Sequence, residues 1–251
     1  MLFYETFGRT SLENPYPLVF LHGFLGSRLD WMPIIEKLKS KYCCIALDLP
    51  AHGQSNPSID LFKSVEKAIL KLNMTPLLIG YSMGGRLAFS YGQEHPEKIK
   101  GLIAISAHTG LKTDLEKKKR IASDLIWQER LLTLSSEEFL SLWYRQNVFA
   151  SLQNQPDLLK NLIKIRQYQN PRELADVLKQ VSLANQPLYE SFSHPTFLIC
   201  GEEDVSYLKL YDSLPTPFKK VIKNVGHCAH LEDPLACVEA IESFASIKKD
   251  E

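Results

Sequence analysis

Residues 76–86 read Pro76-Leu77-Leu78-Ile79-Gly80-Tyr81-Ser82-Met83-Gly84-Gly85-Arg86. A short apolar run leads into a G-x-S-x-G pentapeptide, and a helical pattern over 84–94 follows. A strand, a tight turn and a helix are expected in that order. Such a turn needs small residues on each side of the serine. It exposes the hydroxyl at the top of a sheet and points helix N–H groups at the reacting atom. The pentapeptide alone would also fit a glycine-rich turn without chemistry. The strand before it and the helix after it make Ser82 a candidate catalytic residue.

Outward from this stretch the same alternation repeats. Leu18-Val19-Phe20-Leu21 stops at His22-Gly23, and Cys43-Cys44-Ile45-Ala46-Leu47 stops at Asp48-Leu49-Pro50. Gly101-Leu102-Ile103-Ala104-Ile105 and Thr196-Phe197-Leu198-Ile199-Cys200 are further runs, and a last strand is expected over 220–222. Continuous apolar runs bounded by turn residues fit strands of a parallel sheet buried on both faces. Helical patterns over 61–72, 84–94 and 234–244 complete a three-layer α/β fold. The chain has 251 residues, 45% of them hydrophobic, which suits one large domain or a core domain with an insertion.

The alternation breaks between about His108 and His194, where helix follows helix over 114–132, 135–143, 156–166 and 171–181. Ser135-Ser136-Glu137-Glu138 supplies a cap and an acidic first turn. Residues 108–194 are therefore expected to form a helical lid, inserted after the strand near residue 105. It would sit over the carboxyl edge of the sheet, where α/β folds bind ligands. Residues 1–107 and 195–251 would form the core. A helical domain with no ligand role is the alternative.

Lys+Arg and Asp+Glu both number 29, so the net charge is zero. That excludes a strongly basic protein held to nucleic acid by its overall charge. No apolar run approaches the roughly 18 residues of a membrane span. The start, Met1-Leu2-Phe3-Tyr4-Glu5, shows no basic region followed by an apolar stretch, so a cytoplasmic protein is expected. The five cysteines form no C-x-x-C pair and read as buried packing residues in a reducing compartment. No His/Cys cluster has zinc-ligand spacing, so no metal is expected.

A serine hydroxyl needs a neighbouring imidazole to become reactive. His227, in Val225-Gly226-His227, follows the last expected strand and precedes the final helix. A loop there can reach Ser82 across the sheet edge. An acid must orient the imidazole, and Asp204 in Cys200-Gly201-Glu202-Glu203-Asp204 is the best placed, with Glu202 or Glu203 as substitutes. An oxyanion hole should come from the backbone amides of Met83 and, in His22-Gly23-Phe24-Leu25-Gly26, of Phe24. His22 and His52 read as residues that brace turns. His95 and His194 read as surface punctuation before prolines, and His108 could line the pocket mouth.

The order Ser82, Asp204, His227 is that of the α/β-hydrolase superfamily, which the whole chain resembles. Three motifs narrow the likeness to the 2-succinyl-6-hydroxy-2,4-cyclohexadiene-1-carboxylate synthase family of menaquinone biosynthesis. They are the elbow, with Arg86 directly after the second glycine; the run Trp143-Tyr144-Arg145-Gln146-Asn147-Val148-Phe149-Ala150-Ser151-Leu152; and Gly226-His227-Cys228-Ala229-His230-Leu231-Glu232-Asp233-Pro234. The resemblance implies a lyase that removes a ring proton beside a succinyl ketone and expels pyruvate, without a cofactor. Ser82, activated by His227 and Asp204, would be the base. The substrate carries three carboxylates, so guanidinium groups are expected around it.

Carried over by the resemblance, Arg86, Arg120 and Arg166 would contact those carboxylates, with Trp143 and Tyr81 lining the pocket. The alternatives are a buried ion pair for Arg86 and solvated helix faces for Arg120 and Arg166. The expected partner is a small anionic substrate, with no nucleic acid, and the protein would be a monomer or a small homo-oligomer. Two positions depart from the family. Ala51 stands where D-L-P-G-H-G has glycine, which would strain a positive-φ turn by about 1 kcal/mol. Asn147 stands where proline is common. A carboxylesterase or C–C bond hydrolase with Ser82 as nucleophile shares the same triad, and a non-catalytic binding protein on this scaffold is a third reading.

Overall fold

A computed structural model describes residues 2–247. Seven strands form one sheet: β1 Tyr4–Phe7, β2 Leu18–Leu21, β3 Cys44–Leu47, β4 Leu77–Tyr81, β5 Gly101–Ile105, β6 Thr196–Gly201 and β7 Phe218–Ile222. Their spatial order is β1-β3-β2-β4-β5-β6-β7. All neighbours are parallel except β1, which pairs antiparallel with β3. β4 lies between β2 and β5, with Gly80 opposite Leu21 on one side and Ala104 on the other.

The helices are α1 Met32–Leu38, α2 Leu61–Lys71, α3 Met83–Glu94, α4 Asp114–Thr133, α5 Ser136–Tyr144, α6 Pro156–Arg166, α7 Pro171–Gln180, α8 Val205–Asp212, α9 Ala229–Glu232 and α10 Pro234–Ile247. Side chains alternate across each strand, so the buried runs split between two cores. Phe20, Ile79, Ile103 and Ile199 pack with Trp31, Ile35, Ile241 and Phe244 of the α1 and α10 side. Val19, Leu78, Leu102 and Leu198 pack with Val65 of α2, Leu87 of α3 and Tyr211 of α8. Among the described residues no helix is long and apolar enough to cross a membrane.

Helices α4 to α7 all fall between β5 and β6. Thr113 with Glu116, and Ser135 with Glu138, form reciprocal caps that start α4 and α5. α4 packs along α7. The inner faces of α5 and α6 carry Phe139, Leu140, Tyr144 and Leu162 into the same core as α1. Asn147 begins a 3-10 run to Asn154. At that first helical position proline's missing N–H would cost nothing, so asparagine serves equally well.

Two expectations need correcting. β1 was not expected: its Tyr-Glu-Thr-Phe is short and half exposed, as suits an edge strand. His194 is not surface punctuation. It is 7% exposed, and its Nδ1 lies 3.1 Å from Thr196 Oγ1.

Candidate active site

Ser82 ends β4 and precedes the first residue of α3, with φ 47° and ψ −109°. A non-glycine residue there is strained, and the surrounding ladder fixes it. Ser82 N–H donates to the Ile105 carbonyl (2.9 Å), and the Ser82 carbonyl accepts from Arg86 N–H (3.0 Å). The turn can be this tight because its flanks lack side chains. A Cβ on Gly84 would lie 2.1 Å from the Leu21 carbonyl oxygen, and one on Gly80 would lie 2.5 Å from Gly85.

His227 approaches from the loop after β7. Its Nε2 lies 3.3 Å from Ser82 Oγ, and its Nδ1 lies 2.8 Å from Asp204 Oδ2. With the proton on Nδ1 donated to Asp204, Nε2 faces the hydroxyl as an acceptor. Both His227 and Asp204 are buried. Asp204, not Glu202 or Glu203, meets the imidazole; Glu202 instead accepts from Asn224 N–H at 3.2 Å. The loop is held by Glu232, whose carboxylate accepts the N–H groups of Gly226 and Cys228, each at 3.0 Å. These amides flank His227, so the carboxylate fixes the imidazole from both sides. Glu232 lay inside a quoted motif, but its spacing alone gave it no task.

The loop after β2 is braced by two neutral histidines. His22 Nδ1–H donates to the Gly23 carbonyl (2.7 Å), and its Nε2 accepts from Leu49 N–H (2.9 Å). His52 Nδ1–H donates to the Pro50 carbonyl (2.9 Å), and its Nε2 accepts from Leu25 N–H (3.1 Å). Burial pushes His22 well down from its ordinary pKa and His52 down to about 4. Each ring therefore keeps one donor and one acceptor nitrogen, as these bonds require. Gly26 N–H closes the turn onto the Gly23 carbonyl (3.0 Å), and among the described residues Phe24 N–H takes part in none of the loop's bonds. Met83 opens α3, where an amide has no carbonyl one turn back.

Tyr81 packs against His230 (ring centroids 4.0 Å) and His227 (5.4 Å), and its hydroxyl lies 3.0 Å from Cys228 Sγ. Trp143 packs on Phe24 at 5.2 Å and Phe149 on His227 at 5.8 Å, so aromatic residues of the inserted segment meet both sides of the site. Arg86 is buried on α3, one turn beyond Ser82. Its Nε donates to Gln186 Oε1 and its Nη2 to the Val181 carbonyl. Both acceptors are neutral, and among the described residues Arg86 enters no ion pair. Burial, and then the charge of Arg120, push its pKa down to about 10. Arg120 is half-buried, with Nε on Asp124 Oδ1 at 2.7 Å.

Arg166 stands elsewhere. Its Nη2 donates to Asp30 Oδ2 (2.7 Å) and its Nη1 to the Tyr144 hydroxyl. Burial opposes its charge, yet Asp30 and Tyr144 hold its pKa above the usual value. Neither Arg86 nor Arg166 has a solvated side chain. His108 is neutral, pushed down to about 4 by burial and by Arg86 and Arg120. His230, singled out for no role, is fully buried between Trp31 (4.8 Å) and Tyr81. The described cysteines are all free and buried. Among the described residues one group could converge on a metal, Glu66, Glu94 and His95, whose ligand atoms lie within 4.8 Å of one another. It sits on α2 and the end of α3, and His95 is already bonded to Glu66 at 2.8 Å.

A sheet switching strand order at β4, a strained serine on its edge and an imidazole–carboxylate pair beside it define a class. The chain belongs to the α/β-hydrolase fold family, whose model matches residues 16–234. Within that fold it belongs to the 2-succinyl-6-hydroxy-2,4-cyclohexadiene-1-carboxylate synthases. It is 34% identical to the enzyme of that name from Enterobacter sp. (strain 638) over 253 aligned positions, covering 96% of each chain. The structure of MenH from S. aureus superposes with a TM-score of 0.90 at 26% identity, covering 98% of both chains. A thermophilic esterase from Thermogutta terrifontis shares the fold at a TM-score of 0.77 and 20% identity, covering 99% of this chain and 94% of its own.

Proposed function

We propose that the protein eliminates pyruvate from 2-succinyl-5-enolpyruvyl-6-hydroxy-3-cyclohexene-1-carboxylate to give 2-succinyl-6-hydroxy-2,4-cyclohexadiene-1-carboxylate. The name of the Enterobacter relative supplies the product, and the motif resemblance implies the substrate and the loss of pyruvate. The buried Arg86 guanidinium, one turn from Ser82 and without a carboxylate of its own, is the observation that carries the reading. A neutral ester gives such a charge nothing to meet; a carboxylated ring does.

In this mechanism Ser82 Oγ takes the ring proton next to the succinyl ketone while His227 Nε2 takes the serine's own proton. Asp204 stabilises the resulting imidazolium. The freed electron pair forms a ring double bond at that carbon, the existing double bond shifts by one position, and the C–O bond to the enolpyruvyl group breaks. The leaving enolate takes a proton and becomes pyruvate. No water is added. The Phe24 and Met83 amides hold the ketone oxygen as it gains charge. Helices α4 to α7 serve as a lid, with Trp143 and Phe149 excluding water, and Arg86 and Arg120 receive carboxylate.

The competing reading is an ester or C–C bond hydrolase with Ser82 as nucleophile. Release of pyruvate, read by coupling to lactate dehydrogenase, separates the two. The lyase predicts one pyruvate per substrate consumed. No pyruvate, together with rapid turnover of p-nitrophenyl esters, would replace it with the hydrolase.

A further inference from the structure

The segment from Val181 to Gln186 crosses between the end of α7 and the elbow helix. It offers three polar groups to one guanidinium and one carboxylate. The Val181 carbonyl and Gln186 Oε1 accept from Arg86. Ser182 Oγ–H donates to Asp124 Oδ2 at 2.6 Å, and Asp124 Oδ1 accepts from Arg120 at 2.7 Å. Gln186 is itself locked: its Nε2 donates to the His108 carbonyl at 2.8 Å, and the residue is 6% exposed. The neutral amide does both tasks, accepting from a guanidinium with one end and donating to a carbonyl with the other. A glutamate of the same size would place a negative charge on Arg86 and would have no proton for His108.

We propose that Gln186 is a positioning residue: it orients the Arg86 guanidinium without neutralising it. The cluster of Arg86, Arg120 and Asp124 then keeps one uncompensated positive charge for a carboxylate of the substrate. The idea rests on the anionic-substrate reading above and adds the residue that sets the charge preference. A buried amide costs little, whereas a buried carboxylate would satisfy Arg86 internally and compete with the ligand. The effect acts on binding that is equal in ground and transition states, so it falls on KM rather than kcat.

The test compares Gln186→Glu with Gln186→Leu in the full chain. The readouts are pyruvate-release kinetics, succinate binding by calorimetry and the melting temperature. Gln186→Glu is expected to raise KM at least tenfold, change kcat less than threefold and weaken succinate binding at least tenfold. Gln186→Leu removes the amide but adds no charge, and should weaken both by no more than about threefold. A packing role alone predicts that leucine does at least as much harm as glutamate, and that result would overturn the proposal. So would a Gln186→Glu protein that binds like the wild type while turning substrate over, which would leave the lyase reading standing. If the wild type binds succinate but releases no pyruvate, the lyase reading fails while the ranking of the variants still decides this one. If it does neither, both fall. A variant melting far below the wild type is set aside in favour of Gln186→Asn, which keeps the neutral amide on a shorter arm. Gln186→Asn should bind succinate more tightly than any folded acidic variant at this position, Gln186→Asp included, and the reverse order overturns the proposal.

Discussion

Two arginines, both more than nine-tenths buried, are housed in opposite ways. Arg166, at the end of α6, has its own carboxylate in Asp30 and a phenol in Tyr144. Arg86, on α3, has an amide and a backbone carbonyl. The first is a pair of opposite charges that meet across 136 residues of chain, with only the Arg166 Nε left without a hydrogen-bond partner on that guanidinium among the described residues. The second is a cation kept in a dry place without its counter-charge. Burial of an unpaired charge is costly, and a protein retains such a charge where a ligand completes it. The contrast sets Arg166, which ties the α6 end to Asp30, against Arg86, which on the proposed reading receives an anion.

The largest effect that could break this division is on stability. Asp30→Asn keeps the shape but leaves Arg166 charged, buried and unpaired. Removing one partner of such a pair costs about 3–5 kcal/mol, which for a chain of this size lowers the melting temperature by roughly 10 °C. Scanning calorimetry of the variant reads this directly. A shift below about 2 °C would mean that the pair is not what holds Arg166, and that the cation is as available to substrate as Arg86.

Arg86→Ala sharpens the other side. No carboxylate is orphaned by the change, so stability should move far less than in Asp30→Asn. On the proposed reading turnover should suffer, because the variant would lose its contact with a substrate carboxylate. A fall in kcat/KM of about 100-fold, or roughly 2.7 kcal/mol, is expected from steady-state pyruvate release. Unchanged kinetics would remove Arg86 from the site.

Why were the serine turn and the triad legible in the sequence and the housing of the two arginines not? The serine turn, the parallel strands and the order of Ser82, Asp204 and His227 are local patterns, each a few residues long and fixed by turn geometry. The Arg120–Asp124 contact lies at helical i, i+4 spacing and could have been read the same way. Asp30 with Arg166, and Gln186 with Arg86, join positions 136 and 100 residues apart. No periodicity records such a meeting. The resemblance gave all three arginines one role because it compares residues, not their partners. His194 failed for a related reason: a histidine before proline reads as a loop, and its burial against Gly92 on α3 is visible only in three dimensions.

The smallest expected effect concerns strain rather than charge, and it compares two residues with positive φ. Ser82 (φ 47°) is strained where its hydroxyl faces His227, whereas Ala51 (φ 64°) is strained in a turn whose methyl group packs into the second core. Alanine pays roughly 1–2 kcal/mol in that conformation. Ala51→Gly relieves it but gives the unfolded chain about 0.4–1 kcal/mol of added freedom. The net gain should be about 0.5 kcal/mol, a rise of roughly 1–2 °C in melting temperature. His52, next in the chain, keeps its bonds to Pro50 and Leu25 through its own side chain, so kcat/KM should stay within about twofold of the wild type. A lower melting temperature would show that the Ala51 methyl, buried at 7% exposure beside Leu49 and Leu61 in the second core, contributes more by packing than its backbone loses by strain.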